Sequence, residues 1–287
     1  MMMALGAVTA LLAVSPAFAG PLASDWVEGH NVRTRLIAGS AAAPSHFVAG
    51  LEMELADGWK TYWRTPGDAG GVPPEFDWSR STNVAEIRVS YPAPMRMTDR
   101  AGNTIGYKKH VVFPVYVLPE KTDQPVTLKL QFTFGVCHDI CVPSEGTYDI
   151  TIPASNRPPA PAALTEAVKR VPVIETNDGK AGIDGAPDEV ANAPRLAKVA
   201  TSLGSPSPKV TMHVTFPKGT AGADVFVEGP AGEFVPLPAN KGPAGENTLI
   251  FEIDLTQGAD VAALKGKELR ATIVSDAAQS EKSFVLE

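Results

Sequence analysis

The chain has 287 residues, with 25 Lys+Arg against 32 Asp+Glu and a net charge of −7. That sign excludes a nucleic-acid binder that relies on a basic surface. The 25 glycines and 26 prolines argue against an all-helical bundle, since proline breaks helix interiors and glycine weakens them; two cysteines are too few for a disulfide scaffold or a four-cysteine zinc site.

Taken in chain order, residues 1–20 carry no charge, and the apolar run 4–14 is followed by Pro16 and the small-x-small pattern Ala17-Phe18-Ala19. This reads as a secretory signal peptide covering residues 1–19 and cut after Ala19, although no Lys or Arg precedes the run. The run is too short to span a bilayer. Export places the mature chain in an oxidising compartment, where a cysteine pair can be a disulfide.

Period-two alternation then dominates, as in half-buried strands. Phe47, Ala49, Leu51, Met53 and Leu55 share one face, and so do Val126, Leu128, Leu130, Phe132 and Phe134. Further strands are expected at 31–38, 59–64, 84–91, 111–118 and 147–152, separated by Gly/Pro/Asp turns. Seven or eight short strands in this stretch predict a β-sandwich. Residues 153–208 are proline-rich and read as a connector, with a short helix over 162–171 presenting Leu164, Val168 and Val171. Strands resume at 210–216, 223–227, 234–237, 248–255, 268–274 and 282–286. The fold class expected is therefore all-β, two sandwiches joined by a Pro-rich linker with a short helix. The boundaries are 20–155 for the first domain, 156–204 for the linker and 205–287 for the smaller second domain.

No G-x-G-x-x-G, P-loop or G-x-S-x-G pattern is present, so neither a nucleotide cofactor nor serine hydrolysis is indicated. The stretch 58–68 holds Trp59, Tyr62 and Trp63 within five residues. Strand pairing accounts for most of it, with Trp59, Thr61 and Trp63 on one face and Lys60, Tyr62 and Arg64 on the other.

Both cysteines fall in Phe134-Gly135-Val136-Cys137-His138-Asp139-Ile140-Cys141-Val142-Pro143. Fully extended, their Cα atoms would lie about 13 Å apart, whereas a disulfide needs roughly 4.4–6.8 Å. A bridge thus requires a tight turn through His138-Asp139-Ile140, between a strand ending near Phe134 and one starting after Pro143. Closing so small a ring stabilises by only about 2 kcal/mol. An ordinary hairpin disulfide and an accessible redox switch both fit this spacing. A soft-metal site of Cys137, Cys141 and His138, joined by Met95 and Met97, is a third possibility, because thiolates favour copper(I). A protonated His138 favours thiolate formation while Asp139 opposes it.

Three segments, 58–78 (GWKTYWRTPGDAGGVPPEFDW), 106–117 (GYKKHVVFPVYV) and 134–146 (FGVCHDICVPSEG), resemble the amino-terminal periplasmic domain of DsbD-type thiol:disulfide interchange proteins. The likeness covers roughly residues 30–155 and leans towards the ScsB-like, copper-tolerance branch. It implies an immunoglobulin-like fold, with a second such domain at 205–287. It implies that Cys137 and Cys141 are the redox pair, with Cys141 forming the mixed disulfide with downstream partners. It also implies a cap loop over the pair, matched by residues 95–107. The better-known cap carries an aromatic over the sulfurs; this stretch has no Phe or Trp, and Met95, Met97 and Tyr107 are its candidate residues.

The expected function is that of a periplasmic, monomeric relay without diffusible cofactor or dedicated metal. It would take electrons from a membrane-coupled thioredoxin-like donor and pass them to a thioredoxin-fold acceptor, such as a disulfide isomerase or reductase or a cytochrome c maturation factor. The sequence holds no counterpart of the family's membrane domain or carboxy-terminal thioredoxin-like domain, so the donor is expected to be a separate protein. The alternatives are a copper-tolerance protein using the same thiols and a binding module whose disulfide is inert.

Overall fold

The computed structural model describes residues 22–40, 47–100, 102–175, 191–204 and 206–287. The leader expected at 1–19 and the part of the connector at 176–190 lie outside these residues. Among the described residues, no helix is long and apolar enough to cross a membrane.

Among the described residues, twelve strands precede residue 153: β1 (Leu22–Ala23), β2 (Val27–Gly29), β3 (Val32–Ser40), β4 (Phe47–Leu55), β5 (Lys60–Tyr62), β6 (Glu75–Asp77), β7 (Glu86–Val89), β8 (Met95–Asp99), β9 (Gly102–Lys108), β10 (His110–Leu118), β11 (Val126–Cys137) and β12 (Cys141–Ile152). They form two antiparallel sheets. One runs β1-β3-β4-β10-β7 with β2 beside β3; the other runs β12-β11-β5-β9-β8 with β6 beside β11. The sheets share one core, to which the first contributes Leu36, Leu51 and Phe113 and the second Leu130, Phe132 and Tyr148. The period-two faces read from β4 and β11 are the faces buried in it. The count exceeds the seven or eight expected because several strands have only two to five residues, too short to show a period.

The connector carries structure of its own. Helix α1 (Ala162–Lys169) follows Pro161 and buries Leu164 and Ala167. They pack on Ile37, Val48 and Val112, on the outer face of the first sheet. The expected helix ran to residue 171; it ends two residues sooner, and Ala167 rather than Val171 lies on the buried side. Next come β13 (Val173–Glu175), β14 (Arg195–Ser202), β15 (Lys209–Thr215), β16 (Asp224–Glu228), β17 (Ala239–Gly245), β18 (Thr248–Asp254), helix α2 (Val261–Leu264), β19 (Glu268–Val274) and β20 (Gln279–Val285). They form sheets ordered β13-β20-β19-β16 and β14-β15-β18-β17, antiparallel except for β13 on β20. Their core is mainly aliphatic, with Phe216 and Phe251.

Two expectations fail here. The 156–204 segment supplies β13 and β14 to the second pair of sheets; a bulge between Leu196 and Lys198 breaks the alternation that would have marked β14. Residues 234–237 form no strand. The edge strand is β17 instead, whose sequence ANKGPAG has no apolar alternation and pairs with two register shifts.

Candidate functional site

The site grows from the longest hairpin of the molecule. β11 and β12 pair without interruption from Val126↔Ile152 to Cys137↔Cys141. The strands therefore reach the cysteines themselves, not only Phe134 and Pro143 as expected. The turn is His138-Asp139-Ile140, closed by the His138 N–H donating to the Ile140 carbonyl at 3.2 Å. It brings the cysteine Cα atoms to 4.1 Å, and the two sulfurs are bonded as a disulfide. In this oxidised form neither sulfur is offered as a thiolate ligand.

The two sulfurs are not equivalent. Cys137 lies in β11, a strand paired on both sides, and is only 6% exposed, whereas Cys141 opens the edge strand β12 and is exposed. Ile140, at the tip, is 67% exposed, unusual for a large aliphatic side chain. His138 and Asp139 point outward too, with an Nδ1 to Oδ2 separation of 3.0 Å. The His138 ring lies 5.9 Å from Trp59, which in turn meets His30 edge-on at 5.0 Å.

On the other flank of β11 lies β5, with Lys60 opposite Cys137 and Thr61 opposite Val136. The Thr61 hydroxyl donates to the Gly135 carbonyl at 2.8 Å and pins the strand. Tyr62 then reaches across β11 to β12. Its hydroxyl lies 2.9 Å from Cys141 Sγ, and since a disulfide sulfur has no hydrogen, the phenol donates. Glycines make the slot for this ring. A Cβ at Gly71 would stand 2.2 Å from Tyr62 Cε1, and one at Gly135 would stand 2.9 Å from Cε2. Burial, and then the charge of Asp99, push the Tyr62 phenol above its ordinary value, which keeps the donor proton in place.

Lys60 is buried, which is rare for an ammonium without a partner. Its Nζ donates to Asp99 Oδ2 at 2.7 Å and to Thr104 Oγ1 at 2.9 Å. These acceptors come from the 95–107 segment, which is not a loop but the hairpin β8–β9, antiparallel to β5 through β9. Met95 is 44% exposed and Met97 is buried, both on the edge strand β8. Tyr107 is a core residue: its hydroxyl donates to the Pro92 carbonyl at 2.8 Å and its ring meets Phe113 edge-on. Asp99 and Thr104, rather than Met95, Met97 or Tyr107, are the members of this segment bonded to Lys60.

Sequence reasoning thus found the cysteines and their turn and missed Lys60, Thr61, Tyr62 and Asp99. The signal available was the alternation that set Lys60 and Tyr62 on one face, together with glycines at 71 and 135. Away from the disulfide, Glu52, Glu54 and His110 place their ligating atoms within 4.8 Å of one another. Arg35 and Arg33 already neutralise the two carboxylates.

Residues 33–153 match the family described as thiol:disulfide interchange protein DsbD, N-terminal. The crystal structure of the N-terminal periplasmic domain of ScsB from Proteus mirabilis superposes with a TM-score of 0.66 at 22% identity, covering 93% of this chain and 99% of that one. The two share a fold. A yeast GGA1 GAE domain covers 44% of this chain and 97% of its own at 8% identity, with a TM-score of 0.25, too low to bear on the fold. No curated protein sequence gives a significant match.

Proposed function

We propose that this chain, whose residues 33–153 form a domain of the DsbD amino-terminal family, relays electrons between periplasmic proteins through Cys137 and Cys141. The observation that carries the reading is the asymmetry of the bridged pair. One sulfur is exposed at a hairpin tip and the other is buried behind it. Thiol–disulfide exchange requires a sulfur that a partner can reach, and a neighbouring sulfur in the same chain then resolves the mixed disulfide.

The steps balance without a cofactor. In the reduced protein the Cys141 thiolate attacks one sulfur of an acceptor's disulfide. That bond breaks, the acceptor's other sulfur leaves as a thiolate, and a mixed disulfide forms. The Cys137 thiolate then attacks Cys141 Sγ, the mixed bond breaks, and the acceptor's second thiolate departs. Two electrons have passed to the acceptor, whose two thiolates take up from solvent the protons that the Cys141 and Cys137 thiols released to it, and the 137–141 disulfide remains. A reduced dithiol donor restores the pair by the reverse sequence. A thioredoxin-like donor and a thioredoxin-fold acceptor fit this chemistry, because both present an exposed cysteine pair. Tyr62 assists whenever Cys141 is the leaving or attacking thiolate, since its phenol donates to that sulfur.

On this reading the two pairs of sheets are two immunoglobulin-like sandwich domains, each with a core of its own, and Phe226 and Val274 of the second pair reach into the first core. Substituting Cys141→Ser is expected to abolish transfer and Cys137→Ser to trap a mixed disulfide, both read by non-reducing gels with a thioredoxin-fold acceptor. Transfer unaffected by either substitution would sink the relay. The pair's reduction potential should fall within about −120 to −270 mV; a value below about −300 mV would indicate a structural bridge.

A further inference from the structure

The second pair of sheets grips the first at the strand that carries Tyr62. Arg64, two residues after Tyr62, donates through Nε and Nη2 to both carboxylate oxygens of Glu228 at 2.6–3.0 Å. It also bonds Glu281 and, at 3.3 Å, Thr272 Oγ1. The neighbours of Arg64 join in. The Thr65 hydroxyl donates to Glu228 at 3.0 Å, and the buried Trp63 ring lies 5.9 Å from Phe226. A second arginine repeats the arrangement. Arg96 on β8 forms a bidentate pair with Asp224 at 2.8 and 2.9 Å and donates to the Pro238 carbonyl at 2.9 Å.

Three of these anchors belong to one face of β16. Asp224, Phe226 and Glu228 are spaced by two, so they share a side. Val225 and Val227, on the opposite side, belong to the second core, while Phe226 belongs to the first. β16 therefore stands between the two cores. The two elements it holds both lead to the site: β5, whose Tyr62 reaches Cys141, and the edge strand β8, whose Asp99 bonds Lys60 of β5.

We infer that the second pair of sheets positions the redox site, its carboxylates holding Arg64 and Arg96 so that Tyr62 stays against Cys141. Charge pairs suit this task better than apolar packing does. Burying paired ions adds little net stability, but a guanidinium held bidentately by a carboxylate is fixed in direction as well as distance. The cluster is balanced: Arg270 stands 3.5 Å from both Glu228 and Glu281, so two guanidiniums face two carboxylates. Burial alone would lower the Arg64 guanidinium, but the Glu228 hydrogen bond and the charges of both glutamates outweigh it and leave it firmly protonated.

The inference rests on the relay reading, and its test uses no partner, so the two can fail separately. In full-length protein carrying Cys137→Ser, Cys141 is the only thiol. Its alkylation by iodoacetamide, followed against pH, yields a midpoint set by thiolate stability and a plateau set by access. The ionisable groups around it are Tyr62, Lys60, Asp99, His138 and Asp139, all retained except where substituted. Tyr62→Phe removes a donor to the thiolate and should slow alkylation at pH 7 about tenfold through a raised midpoint. Glu228→Gln should slow it about threefold in the same way, and this effect should vanish in the Tyr62→Phe background. A merely structural contact would alter the plateau or the unfolding temperature and leave the midpoint in place. An unmoved midpoint in Glu228→Gln, or an equal shift with and without the Tyr62 hydroxyl, overturns the inference. Should Glu228→Gln fail to fold, Glu281→Gln is read by the same criteria.

Discussion

In the second pair of sheets, β15 buries Val210, Met212 and Val214 against Phe251, Ile253 and Leu269, and the alternation runs the length of the strand. In the first pair, β11 begins the same way, from Val126 to Phe134, and then departs from it. Gly135, Val136 and Cys137 are buried in succession, and the neighbouring strand buries Lys60, Thr61 and Tyr62. The second pair also buries polar side chains, Thr272, Ser280 and Glu281 on β19 and β20, while the first admits an ammonium, a hydroxyl and a phenol at the end that carries its disulfide and satisfies each. Buried polar groups are costly unless bonded, so their concentration beside a solvent-facing disulfide marks a built site. A sandwich core by itself is scaffold. What distinguishes the first pair is that its alternation stops beside a disulfide, whereas in the second it stops where β16 and β19 bury successive residues.

Three substitutions sharpen this contrast. The largest effect is expected of Phe251→Ala, which empties the centre of the second core and should cost about 3–5 kcal/mol. If the two cores are separate cooperative units, urea unfolding should show the second transition moving alone while the transition of the disulfide-bearing half keeps its midpoint. A joint shift of both would show a single cooperative body. Next comes Gly135→Ala. Its Cβ would crowd Tyr62 Cε2 at 2.9 Å and Val72 Cβ at 3.0 Å, so the ring must shift from the sulfur. Cys141 reactivity at pH 7 should fall about tenfold, since a hydrogen bond to a charged group is worth at least that, with little change in the second core. Unchanged reactivity would mean that Tyr62 does not need its slot.

The smallest effect concerns a charge on the outer face of the first pair. The Glu52 carboxyl is held below its ordinary range by a hydrogen bond from His110, opposed by burial and reinforced by Arg35. A carboxylate depressed in the folded state adds stability that is complete above its unfolded value, near about 4.3, and is lost as pH falls through the folded value. Glu52→Gln should therefore cost about 1–3 kcal/mol at pH 7, and the deficit should close below about pH 4. A deficit that persists at acid pH would place the effect in packing rather than charge.

Much was legible locally. The strands of 47–55 and 126–134 were readable because each residue's face follows from its parity once one side is buried. The turn through His138-Asp139-Ile140 followed from the reach of four residues and the geometry of a disulfide. Short and bulged strands such as β14 and β17 were not readable, because their pairing comes from neighbours rather than from their own period. The family likeness of 33–153, the cysteine pair and the β-rich architecture were thus determined by sequence alone. The tyrosine on Cys141, 79 residues away, and the clamp from Glu228 to Arg64, 164 residues away, were decided only by tertiary structure. Parity along a strand says which way a side chain points, but not which sheet edge or distant strand will lie there to receive it.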